Sequence, residues 1–358
     1  MERIILPMPQ DALLRFTAEG IYCPQADVYI DPWRRVPKAL ITHAHSDHAR
    51  WGMEHYLAHH DSVPVLRLRL GRDISVQGVA FGEKIYMNGV EISFHPAGHI
   101  IGSAQIRLAY QGEVWVVSGD YKVEDDGFCA PFEAVPCQHF ITESTFGLPV
   151  YHWRPQEEIF ADINQWWAQN AAEGKISLLS GYSLGKAQRI LQGLDRNIGP
   201  VYTHGAIENT NEVLREAGIA LKPTQRIHLQ GEEKFEKKLN QNAMIVAPPG
   251  AIGSNWSRRF QPFSLGIASG WMQIRGARRR RAADRGFVLS DHADWPGLNQ
   301  AIEATGAEHV YVTHGYTEIF SRWLREKGLD AQVVKTEFEG ELGEINEGTT
   351  ADTPAQEG

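Results

Sequence analysis

Cysteine is scarce in this sequence. Three cysteines occur among 358 residues, and they are far apart, at Cys23, Cys129 and Cys137. No pair has the C-x-x-C spacing of a thiolate zinc site, and nothing in the spacing indicates a disulfide. We therefore expect three buried thiols in a protein of the reducing cytoplasm.

Long apolar runs are also missing. The first residues, from Met1 to Pro7, lack the apolar stretch that a secretory signal needs. No later stretch approaches the roughly 18 consecutive apolar residues of a membrane span. A hydrophobic content of 42% with 22% charged residues instead indicates a globular chain with a sizeable core, of one large domain or two ordinary ones. We expect no association with membranes.

Positive charge is in short supply overall, since the formal net charge is -9. Proteins that bind nucleic acids usually carry a basic surface, so this balance argues against such a partner. Local clustering matters more than the total, however, and a bound metal ion adds positive charge of its own. One short segment is rich in arginine, namely Arg275, Arg278, Arg279, Arg280, Arg281 and Arg285. The net charge therefore does not exclude a nucleic-acid substrate.

The hydrophobic pattern changes along the chain. Up to about residue 150, short apolar stretches separated by turns predict strands, and Asn88-Gly89 predicts a hairpin. From about Arg154, strands alternate with helices, which is typical of a parallel α/β unit. We predict that its first helix runs from Pro155 to Gly174 and buries one face, formed by Ile159, Ile163, Trp166 and Trp167. Strands that end in polar residues return from Gly286, with one predicted over 287–292.

Residues 43–48, His-Ala-His-Ser-Asp-His, carry the strongest functional signal. An apolar predicted strand precedes them, so His43 and His45 emerge on the same side of its end. Asp47 and His48 follow at once and point to a second position close by. Neutral imidazoles and carboxylates are preferred ligands of zinc, and this pattern is rare by chance. The segment therefore predicts a metal site.

Other predicted strands also end in residues that bind metals. His99 stands between Gly98 and Gly102, Asp120 follows Ser118-Gly119, and His314 precedes a glycine. The ligands of 43–48 are too many for one metal ion with an open position and too few for two ions. A site for two ions therefore needs further ligands, one of which bridges, and the Asp120 carboxylate is able to bridge.

The ordered set of these residues, with Asp31 ahead of them, resembles the metallo-β-lactamase superfamily. Glu143, His292 and His314 resemble the three further motifs of its β-CASP nucleases, which include RNA-maturation and DNA-repair enzymes. Sequence segments such as 29–34 and 270–276 resemble segments of the bacterial ligase-associated DNA exonucleases within that family. The resemblance covers nearly the whole chain except its acidic, aromatic-free end.

The resemblance implies an α/β fold, a metallo-β-lactamase αββα sandwich with an inserted β-CASP α/β domain. Residues 1–150 plus 284–338 would form the discontinuous metallo-β-lactamase domain, and 151–283 the cap. We expect 339–358 to be a disordered acidic tail.

The resemblance also implies a role for each candidate residue. Two Zn²⁺ ions, or Mn²⁺ in their place, would be bound. The first would be held by His43, His45 and His99, and the second by Asp47, His48 and His314. Asp120 would bridge both ions, and Asp31 would orient ligands without touching metal. His292 would be the general acid, paired with Glu143.

Two groups of residues in the predicted cap are candidates for nucleic-acid contacts. One group lies where a loop turns into a helix, a place suited to phosphate: Ser183, Lys186 and Arg189. The other comes from the arginine-rich segment: Arg275, Arg278, Arg279 and Arg280.

We therefore expect a zinc-dependent exonuclease that acts on DNA ends in repair. The segments at 29–34 and 270–276 favour DNA as the substrate. His314 is typical of the RNA-processing members, so an RNA nuclease of the β-CASP type is the alternative. The resemblance implies association with a DNA ligase and a helicase. A hydrolase of small esters shares the metal motif but leaves the insertion, His292 and Glu143 unexplained. A non-catalytic nucleic-acid-binding subunit would have lost ligands that are all present here.

Overall fold

The computed structural model describes residues 12–230, 234–274 and 283–338. The predicted tail at 339–358 and the arginines at 275, 278, 279 and 280 lie outside these ranges. All three cysteines are buried, and none forms a disulfide. Within the described ranges, no helix combines the length and the apolar character needed to cross a membrane.

The first sheet uses the first six strands in sequence order. They are β1 (Arg15–Phe16), β2 (Ile21–Cys23), β3 (Val28–Ile30), β4 (Lys38–Leu40), β5 (His55–His59) and β6 (Val76–Val79). The strands β3 to β6 run parallel to one another. Helix α1 (Val63–Leu70) joins β5 to β6.

The second sheet begins with the next five strands. They are β7 (Ile85–Met87), β8 (Val90–Pro96), β9 (Ala104–Tyr110), β10 (Glu113–Val117) and β11 (His139–Ser144). β7 and β8 form the predicted hairpin, because Met87 pairs with Val90 across Asn88 and Gly89. Both turn residues have positive φ, +48° and +85°, as a tight two-residue turn requires.

The third sheet follows, and helices alternate with its strands. These elements are α2 (Gln156–Ala172), β12 (Ile176–Ser180), α3 (Lys186–Gly193), β13 (Val201–Thr203), α4 (Gly205–Glu216), β14 (Gln225–Arg226), β15 (Met244–Ala247), α5 (Asn255–Arg258), β16 (Phe263–Ala268) and β17 (Arg285–Phe287). The strand order is β14-β13-β15-β12-β16-β17, and every neighbouring pair is parallel. The predicted parallel α/β unit is therefore confirmed.

The chain then returns to the second sheet. It forms α6 (Trp295–Thr305), β18 (His309–Gly315), α7 (Thr317–Glu326) and β19 (Asp330–Val333). The full order of that sheet is β19-β18-β11-β10-β9-β8-β7. β10, β11 and β18 are parallel neighbours, so their carboxyl ends reach the same edge.

The first two sheets pack face to face around one core. Ile30 and Leu40 of the first sheet belong to the same buried cluster as Phe94, Ile106 and Trp115 of the second. Helix α1 covers the outer face of the first sheet, and α6 and α7 cover that of the second. The result is a helix, sheet, sheet, helix arrangement, and the predicted α/β class is confirmed.

One predicted strand is wrong. We expected a strand over 287–292, but β17 ends at Phe287 and pairs with β16, so the third sheet extends beyond residue 283. The following residues turn away, and Ser290 Oγ accepts a hydrogen bond from the His292 backbone N–H at 3.1 Å. A local side-chain acceptor thus replaces a strand partner there.

Helix α2 buries the face that its sequence predicts. Trp167 is completely buried, and its Nε1 donates a hydrogen bond to Asn242 O at 2.9 Å. Trp167→Ala should lower the free energy of unfolding by about 3–5 kcal/mol, because it leaves a large cavity. Urea unfolding measures this loss. Trp51→Ala is the control, since Trp51 is 64% exposed and its loss should change stability by no more than about 0.5 kcal/mol. Equal effects of the two substitutions would contradict the assigned packing.

Candidate metal centre

The His43–His48 loop leaves β4 where the first two sheets meet. Its start is tied to both sheets, because Ile41 N donates to Leu57 O and Ala104 N donates to Thr42 O, each at 2.8 Å. His43, His45, Asp47 and His48 are all buried. The loop therefore carries its polar side chains into the interior.

Asp31 holds this loop from the end of β3. It has a positive φ of +43°, and its carboxylate is buried. It accepts hydrogen bonds from Thr42 N and His48 Nδ1, both at 2.8 Å. Because Nδ1 of His48 is bound in this way, Nε2 of the same ring faces the interior of the site. Such contacts are those an orienting residue needs, and the role of Asp31 stays a prediction.

His99 reaches the site from the loop after β8. Gly98 precedes it with φ +72°, and a Cβ there would lie 2.3 Å from Lys122 O, so only glycine fits. His99 Nδ1 donates to Asp291 O at 2.8 Å. Its Nε2 lies 3.1 Å from His45 Nδ1.

The edge of the second sheet supplies three more side chains. Asp120 follows β10, Glu143 lies near the end of β11, and His314 lies near the end of β18. Since these strands are parallel neighbours, the three side chains come together. All are buried or nearly so.

The two carboxylate oxygens of Asp120 face two different groups of imidazoles. Oδ2 is 3.6 Å from His43 Nε2 and 3.9 Å from His99 Nε2. Oδ1 is 3.6 Å from His48 Nε2 and 2.7 Å from His314 Nε2. Two sets of imidazoles therefore flank Asp120: His43, His45 and His99 on one side, and His48 and His314 on the other; Glu143 and His292 form a third group of potential ligands with it. Asp47 lies beside the second set, with Oδ2 3.7 Å from His48 Nε2.

These donors suit a metal ion. Nε2 of His43 and Nε2 of His48 are buried and have no hydrogen-bond partner among the described residues. Leaving a buried polar atom unpaired normally costs roughly 1–3 kcal/mol. The 3.6 Å separations between imidazole and carboxylate are close to the roughly 3.3 Å edge of a tetrahedron with zinc–ligand bonds of about 2.0 Å. The His/Asp cluster could therefore hold metal.

The pKa values of the histidines differ between the two sets. Burial lowers the pKa of His45 to about 3, and burial with the nearby His292 lowers that of His99 to about 4. These imidazoles are neutral, as metal ligation requires. In the other set burial acts in the same direction, but the carboxylates of Asp120, Asp47 and Asp31 overcome it and raise the pKa of His48 to about 10. Carboxylates thus concentrate negative charge on the second side.

A histidine–carboxylate pair adjoins the cluster. His292 Nδ1 lies 2.9 Å and 3.0 Å from the two carboxylate oxygens of Glu143, and both residues are buried. Glu143 is itself fixed, since Oε1 accepts a hydrogen bond from Tyr121 N at 2.8 Å. The His292 ring lies 4.6 Å from that of His99. The structure thus brings the predicted acid and its partner to the edge of the cluster.

Two predicted nucleic-acid contacts are buried. Lys186 and Arg189 lie on α3 and pair with Asp291, with Lys186 Nζ 3.5 Å from Oδ2 and Arg189 Nη1 3.3 Å from Oδ1. Arg189 Nη2 also donates to Gln156 Oε1 at 2.9 Å. Ser183 is half-buried in the turn before α3. The two charges are therefore occupied inside the protein, and phosphate contact by these three residues stays a prediction.

Sequence reasoning missed the part that Asp291 plays. Its side chain receives the two cations of α3, while its backbone oxygen accepts the hydrogen bond from His99. A second link joins Leu184 O to His45 Nε2 at 3.3 Å. The third sheet and its helices are thereby connected to two of the candidate ligands. The only available signal was the position of Asp291 next to His292.

No family model matches the chain. Among curated proteins, it is 30% identical over 339 residues to a "Probable DNA ligase" of Opitutus terrae, which covers 94% of this chain and 32% of that protein. It is 30% identical over 122 residues to "Endoribonuclease YSH1" of Eremothecium gossypii, covering 34% of this chain and 16% of that protein. The chain thus spans only a minor part of these two relatives.

A third relative aligns over most of its own length. "Probable RNase MJ4" of Methanocaldococcus jannaschii is 24% identical over 296 residues, which are 70% of this chain and 68% of that protein. Relatives with nuclease names thus match a chain whose dispersed histidines and aspartates meet in one buried cluster, and these similarities support its assignment to the β-CASP nuclease family.

Proposed function

We propose that this chain is a metal-dependent phosphodiesterase that cuts nucleic acid, with two Zn²⁺ ions as its cofactor and DNA as its substrate. The observation that carries the proposal is the arrangement around Asp120, whose two oxygens face separate sets of imidazoles. Mn²⁺ would suit the same ligands. The fold would be the metallo-β-lactamase sandwich, with 1–150 and 284–338 predicted for that domain and 151–283 for a β-CASP cap. Since β17 pairs with β16 of the third sheet, the cap would end after Phe287.

The first ion would be held by His43, His45 and His99, and the second by Asp47, His48 and His314, with Asp120 between them. When bound, such a pair supplies hydroxide from water near neutral pH and stabilises negative charge on phosphoryl oxygens. Asp31 fixes the ring of His48 through its Nδ1. The imidazoles of His45 and His99 are buried and neutral, so each has an unprotonated nitrogen that can bind a metal ion.

His292 acts as the general acid in this proposal. Hydrolysis adds water to phosphorus and breaks the bond to a sugar oxygen, which then needs a proton. Since His292 Nδ1 is bound to Glu143, the proton would leave from Nε2. A histidine oriented by a carboxylate can make this transfer near neutral pH.

DNA and RNA are both supported by particular relatives. The match to a probable DNA ligase supports DNA and an association with a ligase, to which the family resemblance adds a helicase. The match to proteins named as an endoribonuclease and an RNase supports RNA as the second candidate. End-labelled DNA and RNA strands of equal length, incubated at one salt concentration with and without a chelator, separate the two. Faster chelator-sensitive shortening of DNA from its ends supports the first candidate. Internal cuts in RNA alone would support the second.

Removal of the shared carboxylate tests the metal pair. Asp120→Asn keeps the shape of the side chain but removes the charge that faces both sets of imidazoles. We expect metal content, measured by mass spectrometry, to fall below one ion per chain, and cleavage to fall below detection. Asp125→Asn is a matched control on an exposed carboxylate and should retain full metal content. A loaded, active Asp120→Asn protein would contradict the bridging role.

His292→Ala tests the proton donor. The substitution should leave metal content unchanged, because His292 is not among the proposed ligands. Turnover should fall by about two to four orders of magnitude, the usual contribution of a positioned acid. Single-turnover cleavage rates measure the change, with the exposed His152→Ala as a control. Cleavage at the wild-type rate would show that another group supplies the proton.

A further inference from the structure

The segment that follows β19 returns to the metal centre. The ring of Phe338 stacks on the imidazole of His48, with centroids 4.4 Å apart and planes 8° from parallel. The same ring meets His314 edge to face, at 5.8 Å and 78°. Phe338 therefore contacts both imidazoles that face Oδ1 of Asp120, and neither contact was expected from the sequence.

The position of Phe338 is fixed from two directions. On one side its ring packs edge to face against Trp33, at 5.6 Å and 85°. On the other, the preceding residue Glu337 is held by two arginines. Arg34 Nη2 donates to its carboxylate at 2.7 Å, and Arg50 Nη2 donates to its backbone oxygen at 2.8 Å.

The contacts of Glu337 link Phe338 to the metal-binding loops themselves. Arg50 lies two residues after His48, and Arg34 lies three residues after Asp31. Each of these exposed contacts contributes little to stability alone. Together with the ring contacts they anchor the segment to the loops that carry His48 and its partner Asp31.

We propose that Phe338 is a positioning residue for the metal subsite formed by His48 and His314. The bond from His48 Nδ1 to Asp31 fixes one point of the ring but leaves its plane free to tilt. A parallel aromatic ring fixes that plane, so the two contacts together set the direction of Nε2. Metal ligation tolerates errors of only about 0.2 Å in ligand distance, so a restraint on the plane of the His48 ring should strengthen metal binding.

This inference rests on the proposed pair of metal ions, and its test counts bound metal rather than cleavage. In Phe338→Ala we expect the ion on the His48 side to be held about 10- to 100-fold more weakly, as for other residues that orient metal ligands. Titration of the metal-free chain with Co²⁺ measures both affinities, and the absorption spectrum of the bound Co²⁺ reports the ligand geometry of each site. The other ion should keep its affinity and its spectrum.

Three comparisons separate positioning from general stability. Phe338→Tyr retains an aromatic ring and should bind the ion on the His48 side with the wild-type affinity. Lys335→Ala removes an exposed side chain of the same segment and should change nothing. The metal-free Phe338→Ala chain should remain folded, with a modestly lower urea midpoint because the ring contact with Trp33 is lost, while the ion on the other side keeps its affinity.

The proposal is overturned if Phe338→Ala binds both ions with unchanged affinity and spectrum. It is also overturned if both ions weaken together with the stability of the fold, because Phe338 would then be an ordinary packing residue. A wild-type chain that binds fewer than two ions overturns it as well. A wild-type chain that binds two ions but cuts no nucleic acid contradicts the proposed function alone, and the role of Phe338 stands.

Discussion

The carboxylate of Asp120 lies where histidines from both of the first two sheets meet. It is 3% exposed, and a buried charge of this kind is costly unless opposite charge and hydrogen-bond donors surround it. The surroundings come from separate parts of the chain, since His43 and His48 follow β4, His99 follows β8 and His314 lies near the end of β18. Nε2 of His43 and Nε2 of His48 have no hydrogen-bond partner in the part of the chain that the structure describes, and a bound metal ion would satisfy both atoms.

The third sheet and its helices are tied to this centre through Asp291. Its carboxylate receives Lys186 and Arg189 from α3, while its backbone oxygen fixes His99. Breaking a buried ion pair commonly costs about 3–5 kcal/mol, so a shift of α3 would disturb the loop that carries Asp291 and His292. The geometry of the first set of imidazoles therefore depends on the position of the third sheet and its helices. A change within α3 would reach His99 through a single residue.

The sequence predicted what is encoded locally. The motif at 43–48 is contiguous, the hairpin at Asn88 has a two-residue signal, and the apolar face of α2 repeats at helical spacing; each was found without a structure. Pairs between distant segments have no such signal, so the contacts of Asp291 with α3 and of Phe338 with His48 were missed. Arg189 shows what a local rule leaves out. A cation at the start of a helix suggested phosphate, yet its guanidinium is directed at a buried carboxylate contributed from a hundred residues away.

The charge balance of the centre constrains how nucleic acid could bind. The whole chain carries a formal charge of -9, and the centre adds the carboxylates of Asp31, Asp47 and Asp120 close to where a phosphate would sit. The two buried cations of α3 are already paired with Asp291. Without metal, the carboxylates of the centre are offset by His48, whose pKa they raise to about 10, and by His314, whose pKa Asp120 raises. In the proposed function, bound cations would add positive charge beside this cluster, so occupancy of the metal centre should strengthen binding of a phosphodiester as well as allow its hydrolysis.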